Sequence, residues 1–191
     1  MIRISKQVFK NHDLVIDFSS PQSLEKSLEI CEELGLPLIS GTTGISDGLQ
    51  KKLKLASKKI PALWSPNMSI GIAVLKKAIQ LLGQLEDFDF QVEEFHHNQK
   101  KDRPSGTALA LQQTLKKSLA QKKAATLPEP LVVRAGGIVG IHKVYATSQN
   151  EMICFEHTAM NRKVFADGAL LAGEWLIGQQ PGLYTMEDLF V

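Results

Sequence analysis

The sequence predicts an α/β protein, with a parallel sheet in its front part and an α+β part built on a mainly antiparallel sheet behind it. Two observations predict this. From residue 14 to residue 83, short apolar runs alternate three times with helix-patterned segments, the order expected of parallel strands covered by helices. Beyond Gly83 the apolar residues alternate one by one, and strand-like segments later follow each other without helices between them, as in antiparallel sheets.

Each element can be justified in turn. "LVIDF" (14–18) is a short buried strand followed by turn residues. In "SSPQSLEKSLEICEELG", Ser20 suits a helix cap and Pro21 the first helical position. Leu24, Leu28, Cys31 and Leu34 then share a face, and Gly35 closes the helix. "LPLIS" is the second strand and runs into "GTTG" (41–44); a helix over 46–58 follows. "IPALWS" is the third strand, and "NMSIGIAVLKKAIQLLG" a helix ending at Gly83. Ligands of open parallel sheets sit at the carboxyl ends of the strands, here Ser19-Ser20-Pro21, "GTTG" and "SPNMS". In the second part, "FDFQVEEF" puts Phe88, Phe90 and Val92 on one face, and a helix starts near Ser105. "KKSLAQKKAATLPEP" reads as a linker. "LVVRAGG", "HKVYATS" and "EMICFEH" read as strands, and a last helix spans 162–177. "GGIVG" (136–140) leads into a strand rather than a helix, so it reads as a turn and not as a phosphate-binding loop.

Composition narrows the classes. The chain has 191 residues, 43% of them hydrophobic, enough for a sizeable core. A net charge of +2 does not indicate a nucleic-acid surface. No apolar run is long enough to span a membrane, and "MIRISKQVFKNHD" lacks the apolar core of a secretory signal; a cytoplasmic location is expected. Cys31 and Cys154 make neither a disulfide framework nor a zinc site, and both read as small buried hydrophobes.

The densest chemistry lies in "EEFHHNQKKDRPSGTALALQQTL" (93–115). His96 and His97 point to opposite sides if the strand continues through them, giving two roles. Histidine is suited to moving protons near neutral pH, and Lys100 can hold a carboxylate or donate a proton. Ser105 suits a helix cap. The amides of Gly106 and Thr107, with the Thr107 hydroxyl, would face an anion at the positive helix end. The residues thus suit a small carboxylate or dicarboxylate, while a solvated connection before a capped helix remains the plain alternative. Adjacent histidines do not match helical zinc spacing, so no metal is expected. Glu93 and Glu94 read as solvated strand residues, and His12, His142 and His157 as surface or capped histidines.

The run "EFHHNQKKDRPSGTA" (94–108) closely resembles the signature of the dihydrodipicolinate reductase family, Glu-x-His-His-x-x-Lys-x-Asp-x-Pro-Ser-Gly-Thr-Ala. "VIDFSSP", "GTTG", "SPNMSIG", "RAGGIVGIH", "EHTAMNRKVFADGA" and "GLYTMEDL" continue the resemblance over nearly the whole chain. It implies reduction of a cyclic, unsaturated dicarboxylate with NADPH or NADH on the diaminopimelate route to lysine. It also implies His96 as proton donor and acceptor, Lys100 as proton donor, and His97, Gly106 and Thr107 as substrate-binding residues. Gly41, Thr42 and Thr43, with Ser65, Pro66, Asn67 and Met68, would contact the cofactor. The implied architecture is a Rossmann-like dinucleotide-binding domain, residues 1–68 and 163–191, with a substrate-binding and oligomerisation domain, residues 69–162. The family is usually a homotetramer.

The family's first strand and its Gly-x-x-Gly-Arg-Met-Gly turn have no counterpart in these residues, so the parallel sheet is expected to be shortened at its N-terminal side, with an exposed edge. The loop before "VVRAGG" is shortened as well. This departure motivates a second reading, an inactive or non-reductase homologue that keeps the dicarboxylate pocket but not dinucleotide binding. A metal-dependent hydrolase built on His96 and His97 is a third.

Overall fold

A computed structural model describes residues 6–119 and 127–190. Residues 1–5, the middle of the expected linker, 120–126, and residue 191 lie outside the described residues. The chain divides into two compact units, one comprising the residues through Ser69 and those from Phe165 onward, the other Ile70–Val164.

In the first unit, a short helix α1 (Lys6–Phe9) precedes β1 (Val15–Asp17), α2 (Pro21–Leu34), β2 (Leu38–Ser40), α3 (Asp47–Ala56) and β3 (Pro61–Trp64). Ser20 caps α2 by accepting from the Ser23 amide, with Pro21 as the first helical residue; Gly35 follows in the left-handed region at φ 70°. Ser46 caps α3 in the same way through the Leu49 amide. The strands are parallel. Their side chains alternate between two helical layers. Leu38 belongs to a core with Leu24, Leu28 and Cys31 of α2 and Leu49 and Leu53 of α3. Its neighbour Ile39 faces the opposite layer, where a Cβ on Gly173 would lie 3.8 Å from it and 2.6 Å from Leu14. Gly173 belongs to α6 (Lys163–Ile177), which therefore packs at backbone distance.

The C-terminal "GLY" forms β8 (Gly182–Tyr184), parallel to β3, giving the order β1-β2-β3-β8. The sequence pattern does not reveal this strand, because three residues are too few to show a period. Met186–Phe190 closes the chain as a 3-10 turn. Among the described residues β1 is one edge of this sheet, with Ile16 on it and Phe18 just after it exposed.

In the second unit, α4 (Ile70–Gln80) and a 3-10 turn, Leu81–Gln84, precede β4 (Asp89–His96), α5 (Gly106–Leu119), β5 (Leu131–Arg134), β6 (Gly140–Thr147) and β7 (Met152–Ala159). The expected linker starts later than its letters suggest, since residues 116–119 complete α5. The sheet order is β5-β4-β6-β7. Strands β4/β6 and β6/β7 pair antiparallel, while β4/β5 is parallel because α5 carries the chain back between them. One face is dry: Phe90, Val92, Val144 and Ala146 pack against Ile72, Ile79, Leu111 and Leu115 of the two helices. The other face carries Phe95, Tyr145 and an exposed Cys154. Cys154 thus corrects the expectation of a buried thiol: strand alternation turns it outward while Ile153 and Phe155 turn in. Cys31 is buried as expected, and burial with the nearby Asp17 charge pushes its thiol up to about 12.

Candidate functional site

Strand β4 builds the candidate site by alternation. Its buried side runs Phe90, Val92, Glu94, His96, so the stripe that enters as core ends as two ionisable groups. Across the sheet, Glu94 lies opposite His142 of β6, and His142 opposite His157 of β7; His96 lies opposite Arg134 of β5. The first rung therefore places Glu94 and His142 side by side in the interior, both nearly inaccessible.

Glu94 is the centre of the cluster. Its Oε1 accepts the Ser105 amide at 2.9 Å and Nη2 of Arg134 at 2.8 Å. Its Oε2 lies 3.3 Å from His96 Nδ1 and 3.7 Å from His142 Nε2. Neither contact is aligned as a hydrogen bond, and Glu94 Oε2 and His96 Nδ1 have no other polar partner. The two imidazoles meet edge to face with centroids 5.1 Å apart. Burial opposes ionisation of Glu94, but the facing His96 together with the Ser105 and Arg134 donors more than offsets it and holds its carboxyl well below the ordinary carboxylate range. Burial, reinforced by the neighbouring His96, lowers His142 to about 4 and keeps it neutral near pH 7.

The helix that follows is tied to the same carboxylate. Ser105 caps α5 by accepting the Ala108 amide at 3.2 Å, while its own amide donates to Glu94 and its hydroxyl lies 3.3 Å from His142 Nε2. Gly106, Thr107 and Ala108 form the first turn, and Gly106 is exposed. The intervening loop is closed by the Lys100 amide to the His97 carbonyl, 3.2 Å. Lys100 Nζ pairs with Asp102 Oδ1 at 2.9 Å. That bond outweighs the burial of Asp102 and lowers its carboxyl pKa. Arg134 also donates to the Asp102 carbonyl at 2.6 Å. His97 lies one residue beyond the end of β4 and is half-buried; His96 is buried.

The structure thus gathers His96, Lys100, Gly106 and Thr107 around one strand-to-helix connection. It also corrects two expectations. Glu94 is fully buried rather than solvated, and His142 is a buried cluster member rather than a surface histidine. The signal for Glu94 was present in the alternation of Phe90 and Val92, had it been continued by two residues. Arg134 and His142 reach the cluster only through strand pairing. Glu94, His96 and His142 also bring three metal-type donor atoms within 4.8 Å of each other; Arg134 already supplies this carboxylate with its positive partner.

In the first unit, the predicted cofactor residues lie at the carboxyl ends of two adjacent parallel strands, 41–43 after β2 and 65–68 after β3. Sequence reasoning missed Asp17 at the end of β1. Its buried carboxylate accepts from Ser40 Oγ at 2.8 Å, Thr42 Oγ1 at 2.6 Å and Ser19 Oγ, binding the first two strand ends together. Thr42, Ser65 and Met68 are buried, and Thr43 and Pro66 exposed. The Trp64 indole donates to the Thr42 carbonyl at 3.0 Å.

An open parallel sheet with hydroxyl-rich strand ends, and a separate sheet bearing a buried carboxylate–histidine cluster before a capped helix, define a two-unit α/β enzyme. Comparison with known proteins makes the class specific. Residues 3–68 match the family described as "Dihydrodipicolinate reductase, N-terminus", and residues 69–190 "Dihydrodipicolinate reductase, C-terminus". A 4-hydroxy-tetrahydrodipicolinate reductase of Bdellovibrio bacteriovorus is 51% identical over 177 residues, 93% of this chain and 76% of that one. One from Stenotrophomonas maltophilia is 43% identical over 178 residues, 93% and 72% of the two chains. The fold is shared with a dipicolinate-bound dihydrodipicolinate reductase from Paenisporosarcina sp. TG-14, at TM-score 0.81 and 21% identity, over 96% of this chain and 76% of that one.

The chain belongs to the dihydrodipicolinate reductase family. It is an oxidoreductase, a 4-hydroxy-tetrahydrodipicolinate reductase of the diaminopimelate route to lysine. The family's N-terminal domain is a dinucleotide-binding domain, in keeping with a pyridine nucleotide cofactor. No finding favours the inactive alternative. No helix among the described residues is long and apolar enough to cross a membrane.

Proposed function

We propose that His96 and Lys100 supply the proton of the reduction, that His97, Gly106 and Thr107 hold the substrate carboxylates, and that NADPH or NADH is held by Gly41, Thr42, Thr43 and residues 65–68. The observation that carries this reading is the strand-to-helix connection. A buried histidine at the end of β4, a lysine fixed by Asp102 and the open first turn of α5 occur within one short stretch.

The bound nicotinamide supplies a hydride. The hydroxyl of 4-hydroxy-tetrahydrodipicolinate leaves as water to give the conjugated dihydrodipicolinate; hydride and proton then add two hydrogens across one of its double bonds, and the proton is the chain's share. An imidazole and an ammonium on the same loop can deliver it. The amides opening α5 and the Lys100 charge favour a carboxylate there, which orients the ring. In the first unit, Asp17 organises the strand ends through its hydroxyl donors. Thr42, Ser65 and Met68, being buried, hold the loops, while Thr43 and Pro66 present their surface. Strand ends of this kind fit a dinucleotide.

The active species in this reading is a cytoplasmic homotetramer built through the second sheet. Its support is the outer face, where Phe95, Ile141 and Tyr145 are only half-buried. Analytical ultracentrifugation tests the assembly; a monomer at working concentration contradicts it. The reaction is tested by following nicotinamide oxidation with 4-hydroxy-tetrahydrodipicolinate, together with calorimetry of dipicolinate and each nucleotide. Turnover with one or both nucleotides is expected. Dipicolinate binding without nucleotide binding or turnover contradicts the reading.

A further inference from the structure

The proposed proton donor, His96, sits against a carboxylate with one oxygen already committed. Oε1 of Glu94 is engaged by two pure donors, the Ser105 amide and the Arg134 guanidinium. Oε2 faces His96 Nδ1 at 3.3 Å, nearer than His142 Nε2 at 3.7 Å. Both Oε2 and Nδ1 are buried without another polar partner, and an unpaired buried acceptor is costly. On the far side of the ring, Gly140 leaves space: a Cβ there would stand 3.1 Å from His96 Nε2. Two nitrogens of one imidazole thus have different surroundings, an anion at one and, at the other, a glycine that has no side chain to crowd it.

We infer that Glu94 is a positioning residue for His96: its Oε2 keeps the proton on Nδ1, so that Nε2 is the atom that exchanges protons with the substrate. The 3.3 Å separation exceeds a charge-assisted hydrogen bond of about 2.8 Å. It closes when His96 becomes an imidazolium, as catalytic contacts tighten on going to the reacting complex. Arg134 and Ser105 fix the carboxylate so that it does not follow the ring. His142, neutral near pH 7, packs edge-on against His96 and limits its rotation without adding charge. The lack of a Cβ at Gly140 spares Nε2 a close contact. The inference rests on His96 being the proton donor, but the tautomer can be measured without turnover.

Ring nitrogen NMR on the ¹⁵N-histidine-labelled enzyme reads the tautomer directly. His96 is identified by its loss in His96→Gln. The neutral ring is expected to carry its proton on Nδ1 in the wild type and to shift toward Nε2–H, the form favoured in water, in Glu94→Gln. In the same variant kcat is expected to fall by roughly 100-fold, within the range of a positioned acid–base group, with less than a threefold change in substrate KM. Glu94→Asp, which keeps the charge but shortens the reach, is expected to recover part of the loss. Gly140→Ala is expected to lower kcat while leaving the Nδ1 proton in place. A wild-type ring protonated at Nε2 when neutral overturns the inference, and needs no folded variant. So does undiminished kcat in Glu94→Gln, or a stoichiometric metal ion bound to wild type through Nδ1. Loss of turnover in His96→Gln with an Nε2–H wild-type ring leaves the proton-donor reading standing and removes this inference alone. Full turnover in His96→Gln removes the proton-donor reading and, with it, the inference.

Discussion

Arg134 is the residue on which the cluster's stability turns, and Arg134→Met tests it. The arginine side chain is 2% exposed and Glu94 0%. Methionine replaces most of the stem and removes the guanidinium, leaving a buried carboxylate held firmly by one amide. Breaking a buried ion pair from one side costs about 3–5 kcal/mol, and the lost bond to the Asp102 carbonyl is part of that sum. We expect about 4 kcal/mol, a large share of the roughly 5–15 kcal/mol that holds a typical domain. Fluorescence would miss it, because both tryptophans, Trp64 and Trp175, lie in the other unit. Hydrogen exchange at the β4 amides is the appropriate probe, with an expected acceleration of about 1,000-fold. Arg134→Met combined with Glu94→Gln should recover at least half of the loss, since no uncompensated charge remains. An acceleration below about tenfold, or a double variant no better than the single one, refutes the view that Arg134 neutralises Glu94.

Further outcomes follow from the same structure. His142 is lowered from 6.5 to about 4, so between those values the unfolded chain binds the proton more readily. Stability of the second unit should therefore fall as pH drops from about 6.5 to about 4, and His142→Gln should flatten that slope in β4 exchange. Glu94 has a depressed pKa in the folded state; its contribution is full above the unfolded value of 4.5 and is lost as pH falls through the folded one, adding acid sensitivity below the histidine window. Gly83→Ala should destabilise by about 1–3 kcal/mol, because its Cβ would stand 2.4 Å from the Ser118 carbonyl oxygen, which is backbone and cannot swing away; urea unfolding followed by exchange checks it. Asp17→Ala should raise the nucleotide Kd at least tenfold in calorimetry while leaving dipicolinate binding unchanged, since it ties Ser19, Ser40 and Thr42.

The sequence made some parts of this legible and hid others for physical reasons. Helix α2 announces itself through Ser20, Pro21 and Gly35, residues whose side chains or dihedrals act locally. Local rules also place His96 at a strand end and Ser105 as a cap. The parallel pairing of β4 with β5 depends on how far α5 carries the chain, which no local pattern encodes. Arg134 and His142 are distant from Glu94 in sequence and meet it only through register. Glu94 itself was misjudged because a glutamate on a strand is usually solvated; the core stripe beginning at Phe90 outweighs that expectation once Arg134 is available to neutralise the charge. Cys154 shows the converse, an apolar-looking run whose parity puts the thiol outside.

The most direct test of the account is steady-state turnover of His96→Ala, Lys100→Ala and the double variant, with dipicolinate binding measured on each. Losses of roughly 10²–10⁴-fold in kcat are expected for each single variant, with folding intact and the double variant falling short of the product of the two. Single variants that keep wild-type kcat while binding dipicolinate normally would contradict the claim that this loop delivers the proton.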